Sequence, residues 1–165
     1  MKYRSINHAH RLKGPLLCAL AIAFMQAGTA RASDPEANFQ SARVIHNVIV
    51  NGQKGMRVHA TFSVRYGKGV PCKLIAYFFF DDGTALRSAD PRYSTQDGSV
   101  SSSVRFRPAY DPANYKELAI FIPYSALNME PGDDYDLKFY LSMYDESTQR
   151  FFGKSGWYRF QLTVP

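Results

Sequence analysis

Five aspartates, Asp81, Asp82, Asp97, Asp133 and Asp134, fall in turn-rich stretches of this chain. If successive strands alternate in direction, all five share one pole of the fold. Carboxylates gathered from several loops are the donors a calcium ion takes, about six to eight oxygens at flexible geometry. Calcium is one cofactor the residues suggest. The opposing consideration is that aspartate is an ordinary turn residue, and the spacing of an EF-hand loop is absent. A second candidate pair is His46 and His59. A hairpin closed by a four-residue loop, Asn51 to Lys54, sets them directly opposite each other, near enough for both imidazoles to bind one transition metal. A two-residue Asn51-Gly52 turn pairs His46 with Arg57 instead, and both registers are open.

Catalytic constellations are mostly missing; residue order leaves a Ser-His-Asp set open, but nothing selects one among many serines. No Gly-x-Ser-x-Gly occurs, and Gly153-Lys154-Ser155-Gly156 lacks the spacing of a nucleophile elbow. Glu36, Glu117, Glu130 and Glu146 are dispersed, so no glycosidase pair is marked, and neither nucleotide glycine pattern is present. The chain reads as a non-enzyme.

Recognition chemistry is better furnished. In the run Tyr77 to Phe80, Phe78 and Phe80 share one strand face with Leu74 and Ala76, while Tyr77 and Phe79 share the other with Ile75. Only one face can meet an opposing sheet. The other needs a cover from loops 83 to 98 or 108 to 115, or from a partner, or it stands as an exposed apolar stripe that marks a binding surface. Tyr77, Phe79, Tyr140 and Trp157 are the binding candidates, with Tyr110, Tyr115 and Tyr144 as further exposed rings. Rigid amphipathic side chains of this kind suit protein or sugar recognition.

Period-two alternation supplies the elements that position these groups. Met56, Val58, Ala60, Phe62 and Val64 alternate with Arg57, His59, Thr61, Ser63 and Arg65. Tyr135 to Tyr144, Trp157 to Val164 and, more weakly, Val100 to Arg107 repeat the pattern. Cys72 to Phe80 and Glu117 to Tyr124 are apolar on both faces, which predicts central strands. With Ala42 to Val50 there are seven strands, separated by Asn51-Gly52, Asp82-Gly83, Asp97-Gly98, Asp111-Pro112 and Pro131-Gly132 turns. One helical turn is predicted around Ser125 to Asn128. The long connection from Asp81 to Gly98 is either a functional loop or one divided by a short edge strand at Thr84 to Ser88. The fold class is all-β: a two-sheet antiparallel β-sandwich, immunoglobulin-like or C2-like, with a closed barrel as the runner-up.

The first 32 residues have the order of a cleavable signal peptide: Lys2, Arg4, Arg11 and Lys13, then the apolar run Pro15 to Met25, then Ala30-Arg31-Ala32. That run holds eleven residues, short of the roughly 20 that a spanning helix needs. Removing the leader takes five basic side chains and no acidic ones, so the net charge falls from +6 to +1. The case for a nucleic-acid partner goes with it. Cys72 remains as the single thiol, predicted to be packed and inert. Residues 33 to 41 read as a flexible lead-in, and 42 to 165 as the domain.

On the strings GMRVHATFSV, AYFFFDDGTAL and IFIPYSALNMEPGDDYDLKFYLSMYD, the chain resembles a small C2-like or immunoglobulin-like β-sandwich module of exported or multidomain bacterial proteins. The resemblance spans about residues 42 to 165 and implies a fold, with no assigned activity. This chain differs in carrying the module alone behind a signal. The sum of these readings is a periplasmic or secreted domain that binds a protein or cell-envelope component without catalysis. A C2-like calcium- or membrane-binding module and a carbohydrate-binding domain are the alternatives.

Overall fold

Alternating side chains commit most of this chain to strands, and the computed structural model, which describes residues 33 to 88 and 90 to 165, contains eight of them. They are β1 (Glu36–Val50), β2 (Gln53–Arg65), β3 (Cys72–Phe80), β4 (Ser101–Phe106), β5 (Ala113–Pro123), β6 (Asp134–Asp145), β7 (Arg150–Lys154) and β8 (Tyr158–Thr163). Two short 3₁₀ turns, Pro91–Tyr93 and Tyr124–Ala126, are the helical segments among the described residues. The proposed signal peptide lies outside those residues. Within them, no helix is long and apolar enough to cross a membrane.

The strands form two antiparallel sheets, one of three strands in the order β1-β2-β5 and one of five. The larger runs β4-β3-β6, and the far edge of β6 is divided lengthwise between β8, which pairs residues 134 to 139, and β7, which pairs 142 to 145. One apolar core joins the sheets. Met56, Val58, Ala60, Phe62 and Val64 of β2 and Ile120 and Ile122 of β5 belong to the same buried cluster as Leu74, Ala76 and Phe78 of β3 and Leu137, Phe139, Leu141 and Met143 of β6. Each fully buried residue of this size is worth about 1.5–3 kcal/mol relative to exposure, so the inward rows predicted from alternation dictate the pairing of sheets. The result is a β-sandwich-like all-β fold.

Three sequence expectations are corrected, and one open alternative is decided. Residues 36 to 41 are not a flexible lead-in: β1 starts at Glu36, with Glu36 opposite Arg65 and Phe39 opposite Phe62. Only Ala37 and Phe39 face the core there, and a bulge after Phe39 interrupts the alternation, so the stretch reads as polar and aperiodic. β7 is an eighth strand, hidden because Phe151 and Phe152 are adjacent and a bulge at Phe152, opposite the Met143–Tyr144 step of β6, breaks its alternation. β5 is an edge strand, with β2 central in its sheet. Its outward residues Ala119 and Phe121 are nonetheless half-buried, and the Phe121 carbonyl accepts a hydrogen bond from Ser102 Oγ of β4 at 2.6 Å. Finally, the Asp81 to Gly98 connection holds no strand, but isolated bridges tie Ala85 to Phe79 and Arg87 to Ser99.

Candidate functional site

Period two carries Ile75, Tyr77 and Phe79 of β3 to the face of the five-stranded sheet turned away from the core, and Lys138, Tyr140, Ser142 and Tyr144 of β6 join them there. Register then builds a row. Ser101 of β4 pairs with Tyr77, and Tyr77 pairs with Tyr140. The pairing of Phe139 with Tyr158 sets Trp157 across from Tyr140 on the same face. At that level β7 has ended and β8 has not begun. Ser155 bridges the gap, its N–H donating to the Leu141 carbonyl at 2.9 Å and its Oγ accepting from the Leu141 N–H at 2.8 Å.

The four binding candidates therefore form one cluster. Tyr140 stacks on Tyr77 and Phe79 with ring centroids 5.0 and 5.8 Å apart. Trp157 stands perpendicular to both Phe79 and Tyr140, at 5.1 and 5.2 Å, and is 48% exposed. Tyr77 and Phe79 are covered in part by these rings. Burial raises the pKa of the Tyr77 phenol, with a further push from Tyr140, and burial likewise raises that of Tyr140. Both hydroxyls stay protonated and able to donate at neutral pH.

Two ammonium groups lie against the cluster. Lys154 Nζ sits 4.1 Å from the Tyr140 ring centroid and Lys138 Nζ 5.0 Å from that of Trp157, within the range of favourable cation–π attraction. Lys138 also donates to the Asp81 carbonyl at 2.7 Å. Between Tyr140 and the exposed Phe151 the surface sinks into an open depression of about 390 Å³, bounded by Tyr77, Tyr140, Ser142, Phe151, Gly153 and Lys154. Its floor is shallow: the Gly153 backbone lies there, and Ser142 is small and buried, with its Oγ donating to the Gly153 carbonyl at 3.0 Å. Sequence reasoning missed Ser142, Phe151, Gly153 and Lys154 as site residues because it missed β7. The signal was the Asp145-Glu146-Ser147-Thr148 turn chemistry followed by a pair of phenylalanines.

Other candidates are placed differently. Tyr110 is 75% exposed but lies in the β4–β5 connection, and Tyr115 is half-buried, stacked on Phe62 at 4.9 Å. The five aspartates do not assemble into a metal centre; among the described residues no group of three or more His, Cys, Asp or Glu could hold an ion. Their oxygens are engaged locally. Asp81 pairs with Arg159 at 2.7 Å, Asp82 accepts from the Thr84 N–H at 2.7 Å, and Asp134 accepts from Thr163 Oγ1 at 2.6 Å. Asp97 takes bonds from Thr95 and Ser99 that hold its carboxyl down at about 2. Asp133 contributes its carbonyl to the Val164 N–H at 3.2 Å.

His46 lies opposite neither His59 nor Arg57, the partners of the two anticipated registers. The Asn51-Gly52 turn has two residues, and a bulge at His46-Asn47, where Asn47 takes φ 57°, then slips the pairing so that Arg43 lies opposite His59. His46 rests 6.1 Å from the Phe160 ring, and its partial burial there lowers its pKa. His59 Nδ1 lies 2.7 Å from Glu117 Oε2, which also accepts from Arg43 at 2.9 Å. Among the described residues no hydroxyl or thiol is hydrogen-bonded to that imidazole. Cys72 is fully buried, and burial together with Asp145 and Glu146 pushes its thiol up to about 11, so it is an inert packing residue at neutral pH. No family model matches the chain, and no curated protein or solved structure shows significant similarity to it.

Proposed function

We propose that this is an exported, non-catalytic binding domain of the immunoglobulin-like or C2-like sandwich type. It engages a cell-envelope component through the outer face of its five-stranded sheet. The observation that carries this reading is the convergence of Tyr77, Phe79, Tyr140 and Trp157 from three separate chain segments onto one partly exposed surface. Aromatic side chains are the usual anchors of non-covalent recognition, and a sheet face needs no such cluster for solubility. The export order of the first 32 residues and the lack of catalytic motifs in the sequence support the same reading.

The test is co-sedimentation of the purified protein with isolated cell envelopes, wild type against a Tyr140→Ala/Trp157→Ala variant whose circular dichroism is unchanged. Loss of two anchors predicts at least a tenfold weaker association, the scale of an ordinary hot-spot truncation at about 1.4 kcal/mol or more. Equal retention of the two proteins refutes the reading.

A further inference from the structure

Resting on the reading that this face binds, we propose that it takes an acidic, carboxylate-bearing polysaccharide, with one sugar ring seated in the depression beside Tyr140. Several observations converge on that ligand class. The depression, about 390 Å³, is at the small end of pockets that hold a single compact ring system. Its walls are the rings of Tyr77, Tyr140 and Phe151, two of them with hydroxyl tips, and its floor is Ser142 and Gly153. This suits a ligand with C–H faces to stack and hydroxyls to hydrogen-bond. Main-chain ladders between β3, β6, β7 and β8 already use the strand N–H and carbonyl groups here. An extended peptide therefore cannot add to the sheet as a further strand on this face.

Charge selects the acid. On the same face Arg159 is paired with Asp81, and Lys73 and Arg105 both with Glu146. Lys138 and Lys154 form no ion pair among the described residues; their ammonium groups lie over Trp157 and Tyr140 instead. A cation held over a ring keeps its charge for a second partner, and an incoming carboxylate completes the arrangement. Lys154 pairs in register with Ser142, four residues along β6 from Lys138, so the two positions are separated by roughly 13 Å at strand rise. Two cations rooted that far apart, over neighbouring rings, can each take a carboxylate from a polymer that repeats its acid groups.

Polygalacturonate oligosaccharides and their fully methyl-esterified forms provide the same backbone with and without charge. Calorimetric titration of the protein with both is expected to give at least tenfold tighter binding of the acid form, with affinity falling as salt is raised. Lys138→Met and Lys154→Met should each erase most of that preference at unchanged melting temperature, and Lys154→Arg should keep it. Equal affinity for the two forms, lost in Trp157→Ala, overturns acid selection while the binding face stands. Failure of both saccharides to bind, with Trp157-dependent envelope association intact, overturns the saccharide assignment alone. Failure of all of these together with envelope association overturns the reading beneath it as well.

Discussion

Asp145 shows how a single side chain is held by local chemistry at the end of β6. It is 4% exposed, and its carboxylate accepts from the backbone N–H and hydroxyl of both Ser147 and Thr148, at 2.5 to 3.3 Å. Burial pushes its pKa up, but these four bonds outweigh burial and leave it below the ordinary value. A depressed carboxyl contributes stability above its unfolded value, about 3.9, and that contribution is lost as pH falls through the folded value. Asp145→Asn is therefore predicted to destabilise the fold by about 1–3 kcal/mol at pH 7. In urea titrations the deficit should shrink as pH is lowered below 4. A deficit independent of pH would contradict the ionised-acceptor account. At this scale the sequence made Tyr77, Phe79, Tyr140 and Trp157 legible, because strict alternation assigns a face. It did not reveal Lys138 and Lys154 as their companions, because an ammonium over a ring depends on side-chain reach rather than on period.

Strands were legible wherever alternation was clean and illegible wherever a bulge broke it. Bulges after Phe39, at His46-Asn47 and at Phe152 account for the late predicted start of β1, the misplaced histidines and the missed β7. The apolar character of both faces of β5 was read as central position, whereas its outer face is half-buried at an edge beside β4. Close approach of β1 and β7 supplies a test at this scale. A Cβ built on Gly153 lies 2.7 Å from the Cβ of Ala37, and crowding of this kind costs about 1–3 kcal/mol. Gly153→Val should lower the melting temperature, and Ala37→Gly in the same chain should recover part of the loss. Independent, additive effects of the two substitutions would show that β1 and β7 do not pack as described.

Across the whole molecule, two antiparallel sheets around one core follow from the inward rows of β2, β3, β5 and β6, which the alternation made visible. The pairing of β6 with two successive strands did not follow from local pattern, because nothing in a five-residue strand records which edge it will join. That division of the β6 edge brings Trp157 over Tyr140, so the candidate site is a product of long-range register. The surface electrostatics point the same way: beside the aromatic cluster, Arg159 is matched by Asp81, while Lys138 and Lys154 rest on rings. Trp157 is the only tryptophan of the chain, so its fluorescence reports on the proposed surface and nowhere else. Titrating the protein with isolated cell envelopes while recording Trp157 emission and its quenching by acrylamide tests the central claim most directly. The predicted result is a saturable shift of the emission to shorter wavelength, with quenching reduced at least twofold. Saturable envelope binding that leaves emission and quenching unchanged would place the interface elsewhere and contradict the account.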